Sequence, residues 1–264
     1  MSKRLNEYNL TEVIGQGTYG SVYKAVHTAT GTEVAIKEIL LQDKCESVLT
    51  KHMVLLAREI QTMYKLSKMN INQFTVKLLD AFTNDEALVD ENELSTVYLV
   101  MEFVQCDLGK FLENDEMELC EDQAKTLIYN MLLAMKFLHS TGIIHRDIKP
   151  SNILITDNCT VKICDFGFAR SSKCVDSRKV KTRPLSALCY TKWYKPPEVY
   201  FHKKDYDQKA DMWSVGCVVS EIMSKVVQPE SSSFRHVLFK GTSQVDFKQT
   251  RGESGKKVKI GAND

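Results

Sequence analysis

Hydrophobic patterning divides this chain in two. Up to about residue 102 it reads mostly as short strands, with one helical stretch among them. Val13-Ile14 and Val22 to Val26 flank a glycine cluster as a predicted hairpin, and Glu33 to Ile39 alternates as a third strand. A helix is predicted from Met53 to Leu66, with Leu56, Ile60 and Met63 on one face, and two more strands at 76–82 and 96–102 flank an acidic loop at 84–93. From about Asp107 the step becomes three and four. Ala124, Leu127, Ile128, Met131, Met135 and Leu138 mark a helix from Glu121 to Ser140, with Glu121 and Asp122 in its first turn, His139 near its end and Gly142 beyond. A further buried helix is expected from Asp211 to Val226. Strands gathered ahead of helices imply an α+β fold in two parts.

With 264 residues, 43% hydrophobic and 26% charged, the chain can bury a substantial core. A net charge of +1 gives no long-range field toward nucleic acid or an anionic membrane. The start lacks the apolar run of a signal peptide, and no stretch approaches the ~18 apolar residues of a membrane span. Cytoplasm or nucleus is the expectation. The eight cysteines are scattered without C-x-x-C or zinc-like spacing, so they are read as reduced thiols.

Gly15-Gln16-Gly17-Thr18-Tyr19-Gly20-Ser21-Val22 fits G-x-G-x-x-G-x-V. The glycines alone also suit an ordinary hairpin turn or the opening of a dinucleotide fold. A dinucleotide fold would lead into a helix, and a Walker loop would put Lys-Ser/Thr after Gly20, whereas here a strand follows. A strand–turn–strand covering phosphates is the functional reading. Lys37 closes Val34-Ala35-Ile36-Lys37 on the next strand; if it points inward it needs an anion, either phosphates or Glu59 on the following helix.

The run His145-Arg146-Asp147-Ile148-Lys149-Pro150-Ser151-Asn152 carries the most chemistry. Phosphoryl transfer needs a carboxylate to orient the attacking hydroxyl, a cation near the moving phosphate, and ligands for magnesium. Asp147, Lys149 and Asn152 suit these roles in turn. Asp165-Phe166-Gly167 follows eighteen residues after Asp147 and offers a second Mg²⁺ carboxylate. Strand-like pieces at 153–155 and 161–164 allow a tight hairpin to bring the two acids together.

On these motifs, in this order, the chain resembles the eukaryotic Ser/Thr protein kinases, and it is most similar to the CMGC group and its MAP kinases. The resemblance covers residues 8 to about 227. It implies a bilobal protein-kinase fold: a β-rich N-lobe over 1–103 with one main helix, a helical C-lobe over 104–227 that stops before the family's last helices, and a divergent tail over 228–264. It also implies ATP and Mg²⁺. Gly15, Gly17 and Gly20 would cover the phosphates, Lys37 would bind them and pair with Glu59, and Asp147 would be the catalytic base. Lys149 would steady the γ-phosphate, while Asn152 and Asp165 would hold Mg²⁺. Ile14, Val22, Ala35, Asp107 and Leu154 would help line the nucleotide site, with Met101 at the back of the adenine pocket and Glu102-Phe103-Val104 as the hinge. Lysine two residues after the catalytic Asp is the Ser/Thr pattern.

Lys149 to Leu154, Thr191 to Val199 and Asp211 to Cys217 are worded like MAP-kinase segments, which implies proline-directed protein substrates and an upstream activating kinase. Arg58, Arg146 and Arg170 match three arginines that meet an activating phosphate in related kinases, and Ser186 sits where that phosphate would be carried; solvated or acid-paired arginines are the alternative. Thr18-Tyr19 resembles an inhibitory phosphorylation site, or is plain loop chemistry. Two departures stand out. Leu188 replaces the tyrosine of Thr-x-Tyr, and Lys195 replaces an arginine, keeping its charge but not its fork. Glu198 is expected to lack its usual arginine partner. A non-catalytic nucleotide-binding kinase-like module, or a truncated inactive fragment, is the competing reading.

Overall fold

The structure is a computed structural model that describes residues 4–17, 20–41, 46–84, 95–171, 192–200, 207–227 and 237–239. Its first half is a five-stranded antiparallel sheet of β1 (Tyr8–Gly17), β2 (Gly20–His27), β3 (Glu33–Leu41), β4 (Leu78–Thr83) and β5 (Ser95–Glu102), in the order β1-β2-β3-β5-β4. The alternation read in the sequence is the reason. Ala25, Val34, Ile36 and Val100 bury one face against Phe82, Tyr98 and Leu5, while Ile39, Val97 and Leu99 turn to the other and meet Leu56. The fourth strand starts at Leu78 rather than at residue 76. The Val76 N–H donates to Ile163 O at 3.0 Å and the Ile163 N–H to Phe74 O at 2.9 Å, so this stretch pairs with the second half of the molecule before joining the sheet.

Helix α1 (Glu46–Ser67) packs under the sheet and extends seven residues further toward the N-terminus than its apolar periodicity indicates. Its opening turns carry Ser47, Val48 and Thr50, poor helix formers with little burial, so no periodic signal marks them. Met63 and Leu66, at its far end, join the core of the helical half. One helix therefore belongs to both cores.

That second core gathers around α3 (Glu121–Ser140), which buries Ala124, Leu127, Met131, Ala134, Met135, Phe137 and Leu138. Gly142 follows with φ +76°, and its N–H donates to His139 O at 3.0 Å, closing the helix in the left-handed conformation that glycine adopts without strain. Beside it lie α2 (Leu108–Glu113), α4 (Pro197–Tyr200) and α5 (Lys209–Val227). Two small antiparallel units complete the site's platform: β6 (Cys106–Asp107) with β8 (Ile153–Ile155) and β9 (Val161–Ile163), and β7 (Ile143–Ile144) with β10 (Arg170–Ser171). Each fully buried Leu, Ile or Met side chain in these cores contributes roughly 1.5–3 kcal/mol. Cys106, Cys120, Cys159, Cys164 and Cys217 are free thiols. Among the described residues no helix is long and apolar enough to cross a membrane.

Candidate active site

The glycine run spans the end of β1 and the start of β2, with Gly17 facing Gly20. Gly20 has φ +148°, and a Cβ there would stand 1.8 Å from Glu38 O, so only glycine lets β2 approach β3 so closely. A Cβ on Gly15 would meet Val22 at an ordinary 3.7 Å; space does not require glycine there. The register then sets Val22 opposite Lys37. Lys37 reaches inward to α1, where its Nζ donates to Glu59 Oε1 at 2.7 Å and lies 3.8 Å from Asp165 Oδ1. Burial works against the Lys37 ammonium, but the Glu59 and Asp165 carboxylates outweigh it and raise the pKa above the usual lysine range. Burial pushes the Glu59 carboxyl up, with Lys37 opposing.

Below the cleft, the chain leaves α3 through β7 and enters a loop held from outside. Asp211, buried in the first turn of α5, accepts the His145 N–H at 2.8 Å and the Arg146 N–H at 2.7 Å, and His139 Nε2 lies 2.9 Å from the same carboxylate. Arg146 sits at φ +74°, a conformation that costs a non-glycine residue about 1–3 kcal/mol unless its surroundings impose it. Asp211 imposes it. The Asp147 N–H donates to His145 Nδ1 at 3.2 Å, which leaves His145 Nε2 to carry the proton donated to Cys164 O at 3.0 Å. Asp147 Oδ2 accepts from Lys149 Nζ at 2.8 Å and Asn152 Nδ2 at 3.0 Å, and Asn152 Nδ2 also reaches Asp147 O at 2.8 Å.

The β8–β9 pair returns the chain to this loop, and the Cys164 N–H donates to Asn152 O at 3.1 Å. Asp165 follows at φ +63°, with Phe166 fully buried and its ring edge-on to His145 at 5.2 Å. The two acids are pushed in opposite directions. Burial raises the Asp147 carboxyl despite Lys149. Burial also acts on Asp165, but Lys37 and Lys149 outweigh it and hold that carboxyl below the usual range. One carboxylate is easier to protonate and the other stays ionised, a division suited to a proton acceptor beside a cation ligand.

The walls follow from the same strands. Ala35 pairs with Met101 across β3 and β5, and Met101 and Leu154 are half-buried against the lower core. Ile14 and Val22 stand half-buried in β1 and β2. Glu102 gives its N–H to Lys77 O at 3.1 Å and takes Lys162 Nζ on both carboxylate oxygens at 2.8–2.9 Å. Val104 is half-buried just beyond, and Asp107 caps α2 by accepting the Lys110 N–H at 2.9 Å. No cluster of three or more His, Cys, Asp or Glu residues able to hold a metal occurs among the described residues. Asp165 and Asn152 offer hard oxygens that fit Mg²⁺ when a polyanionic ligand supplies others.

Comparison with known proteins gives the family. A family profile described as the protein kinase domain matches residues 8–256. The chain belongs to the protein kinase family. It is MAP-kinase-like within it: 35% identical over 239 residues to mitogen-activated protein kinase 12 of Mus musculus, covering 90% of this chain and 56% of the relative. The Homo sapiens protein of that name is likewise 35% identical over 239 residues. Mitogen-activated protein kinase KSS1 of Saccharomyces cerevisiae is 33% identical over 261 residues, covering 95% of this chain and 68% of the relative. The chain thus spans little more than half the length of the first of these relatives. The family match runs past residue 227, the end of the motif resemblance.

The kinase fold brings together Lys37, Glu59, Asp147, Lys149, Asn152 and Asp165. Arg170 pairs with Ile144 across β10 and β7, two residues before Arg146; Arg58 is one residue from Glu59 and buries Nη1 without an acceptor among the described residues. Lys195 is buried, which pushes its ammonium pKa down, and Tyr194 beside it donates to Glu221 at 2.5 Å on α5. Thr18, Tyr19, Ser186 and Leu188 lie outside the described residues. Sequence reasoning missed Asp211 as the anchor of the lower loop. It also missed Gly109, where a Cβ would come within 2.9 Å of Asp107 Oδ1 and 3.3 Å of Ser151 N. The first could have been suspected from an acid opening a buried helix; the second carries no sequence signal.

Proposed function

We propose that this protein transfers the γ-phosphoryl group of MgATP to serine or threonine hydroxyls of protein substrates, with the nucleotide between residues 1–103 and 104–227. The observation that carries the reading is the convergence of Lys37–Glu59 from the sheet with Asp147, Lys149, Asn152 and Asp165 from the loops below. When bound, magnesium triphosphate supplies the transferable group and neutralises developing charge. Glu59 fixes the Lys37 ammonium to bind the α- and β-phosphates. Asp165 and Asn152 Oδ1 hold the cation. Asp147 orients the substrate hydroxyl and takes its proton, while Lys149 lies against the transferred group and opposes the upward push of burial on the Asp147 carboxyl. Gly15, Gly17 and Gly20 cover the phosphates; Ile14, Val22, Ala35, Met101 and Leu154 enclose the base, the backbone of Glu102 and Val104 bonds its edge, and Asp107 meets the ribose.

Serine or threonine followed by proline is the proposed substrate pattern, from the likeness to MAP kinases, and an upstream kinase is the proposed activator. Phosphate on Ser186 would neutralise Arg58, Arg146 and Arg170 and order the segment before Thr191. Cytoplasm or nucleus is the proposed location. The test is Mg²⁺-dependent phosphate transfer from ATP to a Ser-Pro peptide, with Asp147→Asn as control. Transfer lost in the control supports the reading, whereas nucleotide binding without transfer by the unsubstituted chain overturns it.

A further inference from the structure

Strand β1 is irregular where it enters the glycine run. Its register passes from Val13↔Tyr23 to Gly15↔Val22, so Ile14 is the extra residue of a β-bulge and has no cross-strand partner. The Ile14 carbonyl is not idle. It accepts a hydrogen bond at 2.6 Å from Lys110 Nζ, ninety-six residues away on α2. The lysine's own backbone is fixed, since its N–H donates to Asp107 Oδ1 at 2.9 Å, and Asp107 Oδ2 lies 3.7 Å from the Nζ. The neighbouring strand is tied as well. Lys24 Nζ stands 4.6 Å over the Phe103 ring, in the linker between the two halves, and Thr11 Oγ1 donates to Lys24 O at 3.1 Å. The β1–β2 hairpin is thus held to the linker at one side and to α2 at the other.

We propose that Lys110 is a strap across the mouth of the nucleotide cleft. It holds the bulged Ile14 carbonyl down onto α2 and must let go for nucleotide to enter or leave. The inference rests on the cleft being a nucleotide site, as proposed above, but the strap itself exists or not irrespective of ligand. An ammonium-to-carbonyl bond is charge-assisted and stronger than a neutral one, yet Lys110 is 62% exposed, so the strap is breakable. It resists passage in both directions, because opening precedes entry as well as exit. A lysine that only touched bound nucleotide would slow exit alone. Lys110 is therefore a positioning residue acting through the β1 backbone.

The decisive variant is Lys110→Met, which keeps the aliphatic stem and removes the donor at an exposed position, with Lys110→Arg retaining one. In the ligand-free full chain, Lys110→Met should speed amide hydrogen exchange at Val13 to Gly15 by about threefold to tenfold, the loss expected for one such bond. Stopped-flow binding of mant-ADP with Mg²⁺ should show association and dissociation rates both rising by about that factor, with Kd within about twofold and Lys110→Arg close to the unsubstituted protein. Unchanged hydrogen exchange overturns the strap. A dissociation rate that rises while association stays fixed overturns it too, and makes Lys110 a direct ligand contact. Failure of the unsubstituted chain to bind mant-ADP would sink the nucleotide reading instead, and with it any role in exchange, while hydrogen exchange still decides whether β1 is strapped.

Discussion

The site's upper and lower halves are built on different principles. Above the cleft, Lys37 and Glu59 are twenty-two residues apart and meet only because the sheet's register and the packing of α1 bring them to 2.7 Å. Below it, Asp147, Lys149 and Asn152 lie within six residues of one another and bond among themselves, yet their loop keeps its shape because Asp211, more than sixty residues away, accepts two of its N–H groups. The upper pair is a direct long-range contact between functional groups. The lower group is local in sequence and long-range in support. Damage above should therefore weaken the interaction itself, and damage below should travel through the backbone.

The largest expected effect separates chemistry from support. Asp147→Asn should lower kcat by about 10³ while MgATP binding persists, in keeping with the loss of a proton acceptor. It should not destabilise the fold. Burial raises the Asp147 carboxyl, so its folded-state pKa lies above the unfolded value and the ionised form costs stability as pH rises through it. At pH 7 the amide variant should melt at a temperature equal to or higher than the parent in differential scanning fluorimetry. A large drop would mean Asp147 belongs to the scaffold.

Next comes the anchor. Asp211→Ala strands two buried N–H groups and should cost about 2–5 kcal/mol in urea unfolding. Asp211→Asn, keeping one acceptor oxygen, should cost roughly half as much, again by the penalty for an unmet donor. If Asp211→Ala lost less stability than Lys37→Met, the contrast between the halves would be wrong.

Lys37→Met should cost about 1–3 kcal/mol at neutral pH, because Glu59 can take up a proton rather than remain a lone buried charge. The sign follows from Glu59. With its cation gone, a carboxyl already raised by burial stabilises the fold below its unfolded value of 4.5, and that stability is lost as pH rises through the folded pKa. Unfolding midpoints from pH 4 to 8 should fall more steeply for Lys37→Met than for the parent. In the lower half, Lys149→Met removes the charge that opposes burial at Asp147, so the acidic limb of the pH–kcat/KM profile should move to higher pH. The roof holds the last contrast, with the smallest effect at Gly15. Gly20→Ala should cost about 1–3 kcal/mol for a disallowed approach to Glu38 O, and Gly15→Ala less than about 1 kcal/mol.

Much of this was legible in advance for a physical reason. Period-two alternation located β3, strand-like apolar runs located β2, β5 and the end of β1, and the three-and-four step placed α3 to the residue. Legibility failed where burial was thin or support came from afar. The first turns of α1 are nearly periodless, and Val76 bonds Ile163 of β9 before the chain joins the sheet. Gly109 is needed for a contact with Ser151 that no local pattern encodes. Glu102 read as linker backbone, yet its side chain clasps Lys162.

The amino-acid sequence by itself determined which groups are present and in what order: the glycine turn, Lys37, Glu59, and the two acids eighteen residues apart, since side-chain chemistry and local spacing are properties of the chain alone. Only the tertiary structure decided how those groups behave. Asp147 is pushed up and Asp165 down because each pKa depends on the depth of burial and on charges such as Lys37 and Lys149 that the fold sets beside it. Electrostatic energy is a function of distance through the folded interior, and distance along the chain does not report it.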